Sequence, residues 1–566
     1  MAIRKIGLVT RTYRHVNRYR QILTVLVKYG FDEIVDSLKI GQYVEIGLQL
    51  ISRGHREHVE SLTRAQRVRM VLEELGPTFI KLGQVLSTRP DLIPVEFVTE
   101  LEKLQHTVPP FPFAEAKEIV EAELQRPLDR VFEQFDEKPL AAASIGQVHR
   151  ATLRDGDDVV VKVQRPGIRA VIDVDLEILF HLATLIERHI EGAELHKPTR
   201  IVDEFSRVID QELDYTIEAK HLEHFAAQFI NDPTIYVPKV YRDATTHRVL
   251  TMEYIEGVRP SDLGQMAQRG LDRKRVAARG AELILKQIFA HGFFHADPHP
   301  GNMFILPSDV ICYLDFGMMG RLDRRSREDF ADLVHGVGAH DPARATTALL
   351  RLTEHNDDVE PDRRRLERDI TEIIDLYSAT HLGEVDLSKL LQRLMELVQR
   401  HRLRIPADLV MMLKAMTTVE GVGRMLDPDF DMVAAARPHV MKVKLDRMRP
   451  QRLLSDMQES GAEMLQLARE IPGGVRDLLQ QAKRGHLRIG FEHRGLERMI
   501  ETHEKITNRI AFAIVVAALI VGSSLIVLSN LPPTWYEIPV IGLGGFLAAG
   551  LMGFWLLVSI MRHGRM

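Results

Sequence analysis

The sequence predicts an α+β chain: helices first, then a strand-containing segment, then a long helical segment, and two apolar helices at the C-terminal end. Three observations predict it. A lysine stands inside the β-branched run Val159-Val160-Val161-Lys162-Val163. Polar motif loops separate short apolar runs between Phe293 and Gly317. Residues 510–528 and 538–560 carry no charge at all. With 566 residues, two or three folding units are expected. A hydrophobic share of 45% beside 27% charged residues gives enough apolar surface for a real core. The near balance of 74 Lys and Arg against 79 Asp and Glu, net −5, argues against a nucleic-acid partner. The single cysteine, Cys312, excludes a disulfide framework or a thiolate zinc cluster. It lies in an apolar run and reads as a small buried filler.

Taken in order, residues 1–60 suggest a helical segment in which Arg14, Arg18, Tyr19, Ile22, Leu23, Val25 and Leu26 mix basic and apolar groups. Such a helix could lie on a membrane surface or pack on its own protein. No secretory signal is apparent in it, so the soluble part is expected in the cytoplasm. Residues 61–127 form a helical extension, broken at Gly76-Pro77, at Arg89-Pro90 and finally at Arg126-Pro127. Residues 128–257 hold the expected strands, 128–135, 146–153, 159–163 and 247–254, with helices over 173–189 and 199–229 inserted. From 258 to 441 helices dominate, interrupted only by motif loops. Residues 442–509 are charge-rich and amphipathic, a helical linker. Within 510–560, each charge-free run is long enough to cross a hydrocarbon core of roughly 30 Å. Pro532-Pro533 and Trp535-Tyr536 between them suit an interfacial turn. Lys505 and Arg509 before the pair, with Arg562 and Arg565 after it, place both termini on the cytoplasmic side. Gly545, Ala549 and Gly553 form a small-residue stripe on which another helix could pack.

The chemistry concentrates in His295-Ala296-Asp297-Pro298-His299-Pro300-Gly301-Asn302 and Asp315-Phe316-Gly317. Phosphoryl transfer asks little covalent chemistry of a protein. It needs hard oxygen ligands for magnesium and a carboxylate beside the attacking group. Asp297 followed by Asn302 has the spacing of a kinase catalytic loop, and Asp315-Phe316-Gly317 reads as the metal-binding triplet after it. Lys162 would meet phosphates and a carboxylate, since a lysine inside a strand is costly to bury without counter-charge. The competing reading is an edge-strand lysine reaching water. Glu212, Asp214 and Glu218 supply candidate carboxylates, with Asp214 and Glu218 placed on one helix face. Before Lys162 stands no G-x-G-x-x-G loop but Ala141-Ala142-Ala143-Ser144-Ile145-Gly146-Gln147-Val148. Alanine disfavours the positive φ that glycine tolerates, so the triphosphate would be covered differently. Gly83 inside Lys81-Leu82-Gly83-Gln84 costs about 1 kcal/mol against alanine in a helix, which hints at close packing. His295, Asp297 and His299 could instead ligate a transition metal. The reading preferred here is that both histidines brace the loop.

On these motifs the chain is similar to the UbiB (AarF) family of atypical protein-kinase-like proteins, over residues 62–431. They are Lys81-x-Gly83-Gln84, the alanine-rich loop, Val161 to Gly167, Glu212-x-Asp214, His295 to Asn302 and Asp315-Phe316-Gly317. The resemblance implies a bilobal protein-kinase-like fold with a helical N-terminal extension and a C-terminal transmembrane helical hairpin. It implies ATP and Mg²⁺ as cofactors, with Asn302 and Asp315 at the metal and Asp297 in the catalytic-base position. Lys162 would pair with Glu218. The nucleotide would meet Ala141, Ala142, Ala143, Ser144, Ile145, Gly146, Val148, Lys162, Glu253 and Tyr254. Lys81, Gly83 and Gln84 would lie across the cleft where a protein kinase admits its peptide, facing Glu212 and Asp214, in a regulatory role. Family members are understood as ATPases or unorthodox kinases that support ubiquinone synthesis at a membrane, generally without protein kinase activity. The resemblance therefore implies a multi-pass protein of the bacterial inner membrane with its catalytic domain in the cytoplasm. Its partners would be isoprenoid quinone precursors, quinone-biosynthesis enzymes and a second copy of itself. Two other readings stay open: a nucleotide-gated scaffold without transfer, and a phosphotransferase for a small hydroxyl compound.

Overall fold

The computed structural model describes residues 8–32, 35, 59, 61–87, 89, 92–104, 109–190, 197–354, 361–378, 387–447, 496–529, 532–535 and 538–563. They fall into two compact units, Met1–Ser455 and Asp456–Met566. The expected linker helix lies mostly outside the described residues, as do most of 33–60, Tyr536 and Arg565.

The first unit opens with α1 (Leu8–Lys28), whose Ile22, Leu23 and Val25 are buried. Its apolar stripe is therefore covered by the protein itself, in one cluster with Leu72, Leu75, Phe79 and Ile172. A capping box at Thr63 and Gln66 starts α2 (Arg64–Leu75). Gly76, at φ +94°, ends it, and Pro77 opens α3 (Pro77–Ser87). The helices α4 (Val95–Leu101) and α5 (Phe113–Leu124) complete the extension. A single helical turn, Leu128–Val131, precedes β1 (Phe132–Phe135), where an extended segment was expected throughout. Pro127 fixes the φ that starts that turn.

The central sheet is antiparallel, in the order β1–β3–β4–β6, with β2 (Ala141–Ala142) paired to β3 (Gly146–Leu153). β4 (Asp158–Gln164) lies between β3 and β6 (Val249–Glu253), so Lys162 sits in an interior strand and not on an edge. Behind the sheet run α6 (Ile168–His189), α7 (Pro198–Glu212) and α8 (Tyr215–Gln228). The one helix expected over 199–229 is thus two. At Asp214 the backbone turns extended (φ −118°, ψ 95°), and its carboxylate accepts the Thr216 amide at 3.0 Å as an N-cap. Asp214 therefore stands ahead of the helix that carries Glu218, and does not share a helical face with it.

The second part is not helical throughout its motif region. Short strands frame the loops: β5 (Ile235–Tyr236), β9 (Val310–Tyr313) and β8 (Met303–Leu306) form one sheet, and β7 (Phe293–His295) pairs with β10 (Met319–Arg321). Runs of three or four residues carry too little periodicity to announce a strand. Around them pack α9 (Arg273–Leu285), continued by a π turn over Lys286–His291, and α10 (Arg324–Gly338). The helices α11 (Pro342–Leu352), α12 (Arg363–Ser378), α13 (Leu387–Arg400), α14 (Ala407–Leu426) and α15 (Met432–Arg447) follow. Their shared core includes Leu285, Ile288, Phe294, Leu366, Met412 and Met416.

In the second unit, α16 (Leu496–Leu528) and α17 (Val540–His563) contain two spans, Ile510–Leu528 and Val540–Leu557, long and apolar enough to cross a membrane. They pack closely on one another. A Cβ on Gly545 would collide with Ser523 Oγ, and Ala549 is buried. The Gly545 and Ala549 positions are thus used within the chain, between its own two helices.

Candidate active site

Lys162 projects from β4 toward α8. Its ammonium lies 2.8 Å from Glu218 Oε2 and 3.1 Å from Oε1, and 3.9 Å from Asp315 Oδ2. Glu218 is buried in the first turn of α8. Burial works against the lysine's charge, but Asp315 and Glu218 outweigh it and hold the ammonium protonated well above its ordinary range. The Tyr215 ring lies 5.2 Å from the same ammonium. Across the strands, Val148 and Leu250 stand directly opposite Lys162, so Val148 shares its face of the sheet.

Asn302 and Asp315 leave one end of the β8–β9 ladder together. Met303 pairs with Tyr313, Leu314 N–H donates to Asn302 O at 2.9 Å, and Asp315 is the next residue. The Asn302 amide nitrogen donates to Asp297 Oδ2 and to Asp297 O, both at 3.2 Å. That leaves its carbonyl oxygen without a donor among the described residues. Asp315 is half-exposed, and its Oδ1 accepts Gly317 N–H at 2.8 Å. The Lys162 ammonium holds its carboxyl down at about pKa 2, so Asp315 is anionic at any physiological pH.

His295 joins the two motif segments. Its Nδ1 accepts the Asp297 amide at 3.2 Å, so Nε2 carries the proton and donates to Asp315 O at 2.6 Å. Burial lowers its pKa and keeps the ring neutral. With both nitrogens engaged, His295 is not available as a metal ligand, and His299 Nδ1 accepts Gly301 N–H at the next turn. Among the described residues no three His, Cys, Asp or Glu side chains converge. What the site offers is one carboxylate and one amide oxygen. That donor set fits Mg²⁺ completed by phosphate oxygens and water, and does not fit a self-sufficient protein cage.

The alanine-rich run is a tight turn. Ala141 and Ala142 pair with Val148 and Gln147, and Ala143 N–H donates to Gly146 O at 2.8 Å. A Cβ on Gly146 would strike Val163 O at 2.6 Å and the Tyr215 hydroxyl, which explains glycine there without any positive φ. Ile145 turns into the core and its carbonyl accepts Arg165 N–H, so its side chain does not join the others. Glu253 is also engaged elsewhere, accepting from Tyr236 Oη at 2.8 Å and from Lys239 N–H at 3.1 Å. The Tyr254 ring lies under the Arg150 guanidinium at 4.3 Å.

From α3, the buried Lys81 forms an ion pair with Glu212 at the end of α7. The pair is close enough to Asp315 for Lys81 to contribute to its lowered pKa. The other Glu212 oxygen, Oε2, is buried without a hydrogen-bond partner. Gly83 packs where a Cβ would overlap Leu72 and Leu104, so close helix packing accounts for it. Gln84 is half-buried one turn on from Lys81. Asp214 serves the cap described above and not Lys81.

Three residues that brace the site were not singled out from the sequence. Tyr215 lines the lysine, His221 Nδ1 donates to Phe316 O at 3.0 Å, and Gln287 Oε1 accepts His295 N–H at 2.9 Å. His221 stands one helical turn after Glu218, a spacing that could have flagged it. Gln287 lies in the π turn, which no sequence pattern announces. A cavity of about 460 Å³ lies away from all of this, lined by Glu282 of α9, Lys286 and Phe289 of the π turn, Arg327 of α10 and His439 of α15.

Comparison with known proteins places these residues in a wider set. The ABC1 atypical kinase-like domain matches residues 103–349, the UbiB helical domain 370–431 and the ABC1/UbiB kinase-like C-terminal domain 494–562. A Clostridium pasteurianum protein, "Uncharacterized protein in hydrogenase 1 5'region", is 33% identical over 549 residues, covering 97% of this chain and 99% of that one. The "Probable protein kinase UbiB" of Xanthomonas campestris pv. campestris (strain B100) is 32% identical over 557 residues, 96% of this chain and 99% of its own. "Protein ACTIVITY OF BC1 COMPLEX KINASE 7, chloroplastic" of Arabidopsis thaliana is 40% identical over 400 residues, 70% of this chain and 56% of that one.

Proposed function

The chain belongs to the ABC1/UbiB family of atypical kinase-like proteins, and from that premise we propose that it is a membrane-anchored, Mg²⁺-dependent ATPase of kinase type that supports isoprenoid-quinone synthesis. The observation that carries the reading is the grouping of Lys162, Glu218 and Asp315, with Asp315 leaving the same end of the β8–β9 ladder as Asn302. In this reading the fold is bilobal and the nucleotide lies between the central sheet and the motif loops. Asn302 and Asp315 hold the metal, which neutralises phosphate charge when bound. Lys162, oriented by Glu218, meets the phosphates. Asp297, kept in place by the Asn302 amide, occupies the base position beside the attacking oxygen. Ala141, Ala142, Ala143, Ser144 and Gly146 cover the phosphates, and Val148 and Tyr254 line the base.

The two apolar spans support anchoring in the inner membrane with the first unit in the cytoplasm. There a prenylated phenolic precursor and the enzymes acting on it would be within reach, and a homodimer is part of the proposal. A nucleotide-gated scaffold is the second reading. The Lys81–Glu212 pair favours it over a protein kinase, because a charged pair beside Asp315 leaves less room for a peptide hydroxyl.

Purified full-length protein in liposomes should hydrolyse ATP only with Mg²⁺, and Asp315→Asn should abolish this. Asp297→Asn should retain nucleotide binding and lose about 10²–10⁴-fold in hydrolysis. A strain lacking the gene should show a depleted quinone pool that the wild-type gene restores. If Asp297→Asn restores it equally well, the scaffold reading replaces the ATPase. If wild-type protein neither binds nor hydrolyses ATP with Mg²⁺, both readings fail.

A further inference from the structure

We propose that Arg18, on the N-terminal helix, is a positioning residue for α3, the helix that carries Lys81, and thereby sets the charge beside Asp315. The inference rests on the nucleotide reading above for its consequence, but not for its geometry. Every donor group of the Arg18 guanidinium is used. Nε meets Asp175 Oδ1 at 2.6 Å and Nη2 meets Oδ2 at 3.0 Å, a bidentate pair. Nη2 also donates to Leu75 O at 2.7 Å, and Nη1 to Gln21 Oε1 at 2.8 Å. The guanidinium carbon stands 5.6 Å from the Phe79 ring centroid.

Apart from Gln21 on its own helix, those partners belong to three different helices. Asp175, fully buried, is on α6. Leu75 is the last residue of α2, and its carbonyl precedes the Gly76 corner at which the chain turns into α3. Phe79 is on the first turn of α3, two residues before Lys81 and roughly 3 Å from it along the axis. Arg18 therefore grips the corner that leads into α3, the helix of Lys81, and ties it to α6. A lysine could neutralise Asp175, but its single ammonium cannot hold a bidentate carboxylate, a carbonyl and a ring face together.

Lys162 Nζ stands 3.9 Å from Oδ2 of Asp315, the carboxylate proposed to hold the metal. The Lys81–Glu212 pair reaches the same loop: a Cβ on Gly317 would stand 3.1 Å from Asp315 Oδ1 and 4.0 Å from Glu212 Oε1, the oxygen that holds Lys81. A cation fixed beside a metal-binding carboxylate competes with the metal for it. Loosening the α2–α3 corner should move Lys81, weaken that competition and lower the Mg²⁺ concentration needed for nucleotide binding.

The test uses the full-length protein in detergent, with Arg18→Lys and Arg18→Met/Asp175→Asn, each of which leaves no unpaired buried charge. Amide hydrogen exchange without nucleotide is expected to quicken on the order of tenfold over 77–87 and to stay unchanged over 146–164. Half-saturating Mg²⁺ for a fluorescent ATP analogue is expected to fall about fivefold, as it should in Lys81→Met. Added to Lys81→Met, the Arg18 substitutions should then have no further effect on Mg²⁺. Unchanged exchange over 77–87 in both variants overturns the proposal, whatever the nucleotide does. So does a Mg²⁺ shift that persists in full in the Lys81→Met background. If wild-type protein binds no nucleotide, the exchange experiment alone decides the positioning, and it is the functional reading that has failed.

Discussion

Lys162 is held by two carboxylates of unlike character. Glu218 is buried and fixed in a helix, while Asp315 is half-exposed and tied through its Oδ1 to the Gly317 amide. Removing the ammonium strands the buried partner. Lys162→Met should therefore destabilise the first unit by about 3–5 kcal/mol, read by denaturant unfolding. Adding Glu218→Leu should recover most of that loss, because no buried charge then lacks a partner. Equal instability of the single and double variants would show that Glu218 is not the group that Lys162 satisfies. At this scale much was legible beforehand. Asp297, Asn302 and Asp315 announce themselves by spacing alone, since a catalytic loop and a metal-binding triplet are local in the chain. Glu218 was one of three carboxylates offered by the residues themselves, and only the family resemblance singled it out for Lys162. The choice among them depends on where α8 packs under β4, 56 positions away. Tyr215, His221 and Gln287 act purely through such packing.

At the scale of elements, the break between α7 and α8 matters most for the site. A continuous helix would have set Glu212 and Glu218 about 120° apart around one axis. Instead Asp214 caps α8 with its side chain, and Glu212 at the end of α7 is free to pair with Lys81. Asp214→Ala should cost about 1 kcal/mol, the usual loss for an N-cap. It should also quicken amide exchange in the first turn of α8, 215–218, before it affects the central sheet; exchange confined to the sheet would contradict this. The cap signal, Asp followed by Tyr215 and Thr216 with Glu218 in the first turn, is present in the sequence, but the apolar periodicity runs straight across it. Strands β7 to β10 escaped notice for a related reason: at three or four residues, each is specified by its partner and not by its own pattern.

Across the whole first unit, burial of neutral histidines links stability to pH. His149 is fully buried, with Nδ1 donating to Asp136 O at 2.8 Å and Nε2 accepting from Gln147 at 2.9 Å. Burial lowers its pKa, as it does for the half-buried His221. The unfolded chain then takes up protons at pH values where the fold does not. Stability from these residues is complete above the ordinary histidine pKa near 6.5 and declines as pH falls below it. Each contributes a slope of at most about 1.4 kcal/mol per pH unit. Unfolding measured from pH 7.5 to 5 should show this decline, and His149→Gln should flatten it. An unchanged slope would mean that His149 is protonated in the fold. The chain by itself determined the order of its segments, the two apolar spans and the spacing of the motif loops, because each of these is written in neighbouring residues. Only the tertiary structure decided that α1 packs on its own protein, that the helix over 199–229 breaks at Asp214, that of the two carboxylates the family resemblance set facing Lys81 it is Glu212 and not Asp214 that pairs with it, and that Gly545 and Ala549 are covered from within. Those outcomes depend on which distant surfaces meet, and contacts between residues far apart in sequence leave no local trace.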